Sequence, residues 1–356
     1  MSNLQPLVKW SGSKRSQAKA IVECIPDGCD TYYESFCGGC SVLFYLLNNC
    51  PNKFKHWVCN DLNKPLIGIY NIVKDNPNSI KEMYLRLWNE LNKDSDLERK
   101  KDFFGKVRAL FNQTQMPELF FFIMRTTTNG MPRYNSDGEF NNSFHITRNG
   151  MVPERCFRVI DDWSKLLNQY DVRFVSGNYN TIIPTENDFL YLDPPYANTK
   201  GMYYGSIDNE HLWKYLRDVQ CGWALSFDGI AGEENNIFDV PNDLYDEHRL
   251  LKSGNSSFRR VVGKSTDTVV FESLYLKRRK ETMVKLESWG VLLKQLQEAN
   301  ADANDCVFPS PNGNTIQCPH CHRDTGFPII TGEVLYADKR CPFCGEVVVH
   351  AHMITC

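Results

Sequence analysis

The 356-residue chain has no long hydrophobic run. Its longest strongly apolar stretch, Leu119 to Met124, is far too short to cross a bilayer. The beginning, MSNLQPLVKWSGSK, lacks the apolar segment of a secretory signal, and an intracellular protein is expected. There is no low-complexity tract and no internal repeat beyond one pair of cysteine knuckles. A hydrophobic fraction of 42% and a charged fraction of 23% exclude a disordered or fibrous chain and leave room for a sizeable core. Net charge is also nearly absent, at −3, and by itself decides nothing about nucleic acid.

Charge is present locally. Residues 251–265 hold Lys252, Arg259, Arg260 and Lys264 and no acid, KRRK follows at 277–280, and five arginines face three acids between Ile123 and Ile160. Such segments can neutralise phosphates, although taken alone they read as an ordinary solvated surface. Cysteine is abundant, with 14 in the chain, which in an intracellular protein points to thiols and metal rather than disulfides. Ten are scattered and read as small buried apolar residues. Cys318, Cys321, Cys341 and Cys344 form Cys-x2-Cys, nineteen residues, Cys-x2-Cys, a spacing suited to a tetrahedral zinc site in which metal replaces a core. His320, His322, His350, His352 and Cys356 rank below them as ligands, and an iron site is the minor alternative. Whether that unit binds nucleic acid, binds a protein partner or only caps the fold is open.

Hydrophobic periodicity predicts a helix over 14–25, a strand in DTYYESFCGG, a helix in SVLFYLLNN and a second strand ending at Asp61. From Asn63 to about Met124 the pattern is helical, and the polar stretch 126–150 reads as hairpins and loops. After a helix around RVIDDWSKLLNQY, strands return in VRFVSGNY, DFLYLDPPY, WALSFDG and, beyond a basic loop, DTVVFESLYLKR. Strands alternating with helices give an α/β fold with a largely parallel sheet, interrupted by a helical insertion. A helix is expected between Glu281 and Ala299, followed by a linker.

Two stretches carry chemistry. YYESFCGG puts glycines at the end of the first strand, where a ligand can approach bare backbone, and Asp61 ends the next strand twenty-three residues after Gly38. An acid so placed hydrogen-bonds ribose hydroxyls. Farther on, a core strand ends in Asp193-Pro194-Pro195-Tyr196. Asp before Pro is an ordinary way to begin a helix, so the tetrapeptide gains weight only beside the glycine loop and its acid.

With these landmarks the chain, over roughly residues 6–278, closely resembles the Dam-type (D12 class, α-group) DNA adenine methyltransferases. PLVKWSGSK is similar to that family's Lys-Trp-x-Gly-Gly-Lys motif, ESFCGGCSV to its cofactor loop, NDLNKPLIGIYNIVK to its acid and following helix, NGMPRYNSDGEFNNSF to its DNA-reading hairpin, and LYLDPPY to its catalytic motif. The resemblance implies a Rossmann-like methyltransferase sheet, with S-adenosylmethionine as cofactor and double-stranded DNA as partner. Trp10, Lys14, Phe36, Cys37, Gly38, Gly39, Asp61 and Asp193 correspond to cofactor-contacting positions. Trp10 and Lys14 would otherwise read as a partly buried anchor and a surface lysine. Asp193 and the Pro194 carbonyl would accept the two N–H bonds of an adenine amine, Pro195 would rigidify the turn, and Tyr196 would stack on the extruded base. Asn129, Met131 and Arg133 match positions that contact bases or wedge between them, and the stretch holding Lys252, Arg259, Arg260 and Lys264 resembles a loop near DNA.

There are departures from the family pattern. Thr128 and Ser143 stand where an aromatic and a proline are common, which puts GATC specificity in doubt. Ser13 and Cys40 replace glycines. The implied organisation is a catalytic domain of residues 1–61 and 170–280, a helical and hairpin target-recognition domain of 62–169, a helix and linker of 281–315, and a zinc ribbon of 316–356. The expected reaction is transfer of a methyl group to N6 of a flipped adenine, acting in the cytoplasm or wherever the target DNA lies, with a restriction endonuclease as a further partner. N4 of cytosine is the alternative target, and a catalytically inactive DNA-binding module the alternative outside enzymology.

Overall fold

The computed structural model describes residues 4–195, 207–253 and 269–278, and in the C-terminal part 308–309, 315–318, 320–328, 339–345 and 347–349. The chain divides into two units, Met1–Lys280 and Glu281–Cys356.

In the first unit a single-turn 3-10 helix, Lys14–Ser16, leads into α1 (Ala18–Glu23), where periodicity predicts one continuous helix. The main elements follow: β1 (Thr31–Glu34), α2 (Ser41–Asn49), β2 (His56–Asp61), α3 (Lys64–Asp75), α4 (Pro77–Leu91), α5 (Leu97–Thr114), α6 (Pro117–Thr126), α7 (Pro153–Asn168), β3 (Asp171–Ser176), β4 (Phe189–Leu192), α8 (Asn209–Asp218), β5 (Gly222–Ala231), β6 (Glu234–Asn235), β7 (Glu247–Ser253) and β8 (Val270–Lys277). The strand order is β3-β2-β1-β4-β5-β8-β7, with β6 on β5. Strands β3 to β5 pair in parallel, whereas β8 is antiparallel to both β5 and β7. The sheet is thus parallel over its first five strands and antiparallel at one edge.

Strand order reverses beside β1, because the chain builds outward through β2 and β3 and then returns to lay β4 on the other side of β1. In open α/β sheets the crevice outside the carboxyl ends at such a reversal takes the ligand. The glycine loop after β1, Asp61 at the end of β2 and Asp193 just after β4 all lie at those carboxyl ends. Every residue of β4, FLYL, is buried, as expected of a parallel strand covered on both faces.

The helical insertion keeps its shape for local reasons. The Asn63 side chain caps α3 by accepting from the Leu66 N–H at 3.0 Å, with Pro65 in the first turn, and Asp96 caps α5. The apolar run Leu119–Met124 is the buried heart of α6, with Phe120 stacked on Phe111 at 5.0 Å. A Cβ on Gly68 of α3 would stand 2.3 Å from Pro117, so glycine lets α3 and α6 cross closely. The stretch read as hairpins carries only two isolated bridges among the described residues, Thr127–Phe144 and Tyr134–Phe140, and hangs on buried Phe140 and Phe144.

The second unit contains a three-stranded antiparallel sheet of β9 (Phe308–Pro309), β10 (Thr315–Gln317) and β11 (Asp324–Pro328), and a hairpin of β12 (Lys339–Arg340) and β13 (Val347–Val349). One cysteine pair sits between β10 and β11, the other between β12 and β13. The helix expected between Glu281 and Ala299 lies outside the described residues.

Candidate active site

The glycine loop is shaped by Trp10. A Cβ on Gly38 would lie 2.7 Å from Trp10 Nε1, and one on Gly39 would lie 3.1 Å from Trp10 Cβ. Gly38 also has φ of +45°, so both sterics and backbone conformation require glycine there. The loop is fixed by Tyr70, whose hydroxyl donates to the Gly38 carbonyl at 2.9 Å, and by the Cys37 N–H, which donates to the Asn60 carbonyl at 2.8 Å. Cys40 takes the left-handed conformation, with φ of +51°, at the start of α2. Ser13 Oγ and Ser41 Oγ lie 2.6 Å apart and join the N-terminal motif to the same loop.

Asp61 faces this loop. Its Oδ2 accepts from the Gly38 N–H at 3.0 Å, and its Oδ1 accepts from the Asn63 N–H at 2.9 Å. Burial pushes its carboxyl up to about 6 against the pull of those two N–H groups. Each oxygen keeps acceptor capacity beyond these bonds, so an oriented carboxylate beside bare backbone fits the hydroxyls of a nucleoside-bearing cofactor. Phe36 stacks on Tyr179 at 5.3 Å and adds an aromatic wall. Tyr179 was not marked by the sequence, which shows it only as one tyrosine in a polar turn.

Asp193 does not stand alone. Lys14 Nζ lies 2.7 Å from Asp193 Oδ1 and 3.3 Å from Glu272 Oε2, and it donates to the Gly12 carbonyl at 3.3 Å. Lys14, which otherwise reads as a surface lysine, is only 6% exposed. Pro194 is buried and Pro195 half-buried, so the turn is held from both sides. Asp228, on β5, is pushed up to about 6 by burial and then by Glu272, with Lys14 opposing. Under the loop, the buried Glu34 accepts from the Tyr32 hydroxyl and the Leu43 N–H, and burial raises its carboxyl well above the usual range. Tyr196, Arg259, Arg260 and Lys264 lie outside the described residues.

The residues that the resemblance places on the recognition side sit apart from this cluster along the chain. Asn129 has φ of +58° in a turn that the Asn142 amide holds by donating to the Thr128 and Met131 carbonyls, each at 3.0 Å. Met131 is half-buried, and the exposed Arg133 is steadied by Asn141, which accepts from its Nε at 2.8 Å. A Cβ on Gly130 would lie 2.8 Å from the Lys9 carbonyl, so this turn packs on the strand of chain that carries Trp10 and Lys14. Lys252 is exposed on β7.

In the second unit, Cys318 and Cys344 sulfurs lie 3.6 Å apart, as do those of Cys321 and Cys341, and all four fall within 4.8 Å of one another. A tetrahedron with zinc–sulfur bonds near 2.3 Å has edges of about 3.8 Å, so the donor set fits. Among the described residues no other group of ligating side chains converges in this way, and no helix is long and apolar enough to cross a membrane.

A parallel sheet whose strand order reverses at its centre, with a glycine loop, a facing acid and an Asp-Pro-Pro turn at its carboxyl ends, is a Rossmann-like methyltransferase fold. The description of D12 class N6 adenine-specific DNA methyltransferases matches residues 10–224. The type II methyltransferase M1.LlaDCHI of Lactococcus lactis subsp. cremoris is 29% identical over 281 residues, 75% of this chain and 95% of its own. The type II methyltransferase M.MjaIII of Methanocaldococcus jannaschii is 31% identical over 208 residues, 54% of this chain and 69% of its own. Among solved structures, the rRNA methyltransferase aviRa of Streptomyces viridochromogenes aligns with 74% of this chain and 82% of its own at 11% identity, with a TM-score of 0.30, too low to bear on the assignment. The chain belongs to the D12 class of N6 adenine-specific DNA methyltransferases.

Proposed function

We propose that this chain methylates N6 of an adenine, flipped out of double-stranded DNA, within a short target site, and that Asp193 and the Pro194 carbonyl are the acceptors that prepare the amine. The observation that carries this reading is the Asp193 carboxylate, pinned by Lys14 at 2.7 Å just past β4 and on the same rim as the glycine loop. The adenine amine is a poor nucleophile because its lone pair is delocalised into the ring. When its two N–H groups donate to fixed acceptors, the nitrogen can pyramidalise and expose that pair. Positive charge grows on the nitrogen in the transition state, and acceptors already in place stabilise it there more than in the ground state.

S-adenosylmethionine, when bound, supplies a methyl group made electrophilic by a sulfonium. Asp61 would take the ribose hydroxyls, Phe36 would line the base side, and Cys37 to Gly39 would offer bare backbone shaped by Trp10. Lys14 and Asp193 would close the pocket on the methyl side. We assign residues 1–61 and 170–280 to catalysis and 62–169 to target recognition. In the recognition part, Arg133 would read a guanine edge and Met131 would help fill the space left by the flipped base, while Lys252 would meet phosphate. One zinc would bind Cys318, Cys321, Cys341 and Cys344. The type II naming of the two relatives supports pairing with an endonuclease of the same specificity, inside the cell where the DNA lies.

The test is Asp193→Ala. DNA binding should stay within about two-fold while methyl transfer falls by about 10²- to 10³-fold, an effect of the size that removal of a preorganised transition-state partner produces. Near-normal transfer would remove Asp193 from the chemistry. Mapping the modified bases in unmodified genomic DNA after incubation with labelled cofactor then decides adenine against cytosine and gives the target sequence.

A further inference from the structure

The acceptor role just described uses Asp193 and leaves two neighbouring acids without a task. Glu272 and Asp228 reach the site through a fault in the ladder between β5 and β8. Phe227 pairs with Ser273 and Ile230 with Phe271, so Asp228 and Gly229 together oppose the single residue Glu272. Such a bulge re-aims side chains and is common beside active sites. Gly229 makes it possible, since a Cβ there would stand 2.1 Å from the Phe271 carbonyl oxygen. Glu272 Oε1 accepts from Ser253 Oγ at 2.9 Å, and its Oε2 lies 3.3 Å from Lys14 Nζ. Ser253, Glu272, Lys14 and Asp193 form one continuous polar chain from the β7–β8 edge to the acceptor carboxylate.

Stability alone does not account for placing two carboxylates on one buried ammonium, because desolvation offsets most of the attraction. Electrostatics of the reaction does. A lysine paired only with Asp193 would cancel its charge and follow it on a flexible stem. Shared with Glu272, the same ammonium holds Asp193 in place while its single charge is divided between two carboxylates. Among the described residues, and beyond burial itself, the Asp193 charge also raises the carboxyl of Glu34, and that of Asp228 is raised by Glu272 and lowered by Lys14. We propose that Glu272 is a positioning residue that, by sharing Lys14, orients Asp193 and preserves its negative charge for the transition state.

This inference rests on Asp193 being the acceptor, so Asp193→Ala is measured beside Glu272→Gln. Glu272→Gln in the full chain should lower kcat about 10- to 100-fold, the scale of a small misplacement or a lost preorganised charge. The KM values for cofactor and DNA should stay within about two-fold and Tm within a few degrees. Glu272→Asp, which keeps the charge, should recover part of the loss, and Ser253→Ala should lower kcat by less than Glu272→Gln does. A readout free of turnover is the carboxyl titration of Asp228 by NMR of ¹³C-labelled aspartate, which should move to lower pH in Glu272→Gln, because one upward push is removed. If Asp193→Ala abolishes transfer while Glu272→Gln leaves kcat and the Asp228 titration unchanged, this inference alone falls. If Asp193→Ala leaves transfer intact, both fall. Equal losses in Glu272→Gln and Glu272→Asp with a matching drop in Tm would mark Glu272 as merely structural and overturn it.

Discussion

The two units of this chain hold themselves together by different means. The first buries Trp163, Trp223, Tyr32, Phe120 and many aliphatic side chains completely. Among the described residues of the second, the buried ones are Cys318, Cys341 and Thr325. Among the described residues, one unit is held by an apolar core, and the other gathers four thiols. Short segments that cannot bury enough apolar surface depend on such a cross-link. The contrast also separates two kinds of cluster: at Asp61 burial opposes the charge of a carboxylate, whereas the cysteines bring four sulfurs within 4.8 Å of one another.

Metal removal should break the symmetry between the units most completely. Elemental analysis should find about one zinc per chain. A strong chelator should abolish protease resistance of residues 316–356 while the cooperative unfolding of the first unit stays within a few degrees; a metal-free tail that keeps its order would remove the comparison. Next in size, Phe120→Ala should destabilise the first unit by about 3–5 kcal/mol, as truncation of a fully buried aromatic does. Its zinc content should not change, and denaturant unfolding with metal analysis on one sample reads both.

The smallest effect sharpens the electrostatic side. Asp61 has its carboxyl raised from the ordinary range to about 6 by burial. A raised carboxyl contributes stability that is present below its unfolded value and lost as pH rises through about 6, so this residue opposes folding in its charged form. In the proposed pocket, cofactor binding needs that charged form as an acceptor. The KM for cofactor should therefore rise by up to about tenfold per pH unit below 6, while Asp61→Ala should raise it at neutral pH and flatten the dependence. A KM that ignores pH between 5 and 7 would take Asp61 out of the pocket.

Local patterns explain why parts of this fold could be read beforehand. The run FLYL could hardly be anything but a buried strand, α6 declared itself by its apolar residues, and the cysteine spacing stated its own geometry. β7 escaped because EHRLLKS is an edge strand with most of its side chains in solvent, so charge outweighed periodicity. Glu272 and Asp228 escaped for a different reason. Each is one acid in a strand, and the antiparallel return of β8 with its bulge brings Glu272 to Lys14 and sets it opposite Asp228. Glycine and aspartate motifs are legible locally, but the carboxylates that share Lys14 come from distant parts of the chain.

Asn63 has a consequence of another kind. Its main-chain N–H holds Asp61, its side-chain oxygen starts α3, and its amide donates to the Tyr134 hydroxyl at 2.8 Å. One residue thus ties the acid proposed for the ribose side to the loop proposed to read the target. If those roles hold, grafting that loop from a relative with a different target should raise the KM for cofactor unless the partners of Asn63 travel with it.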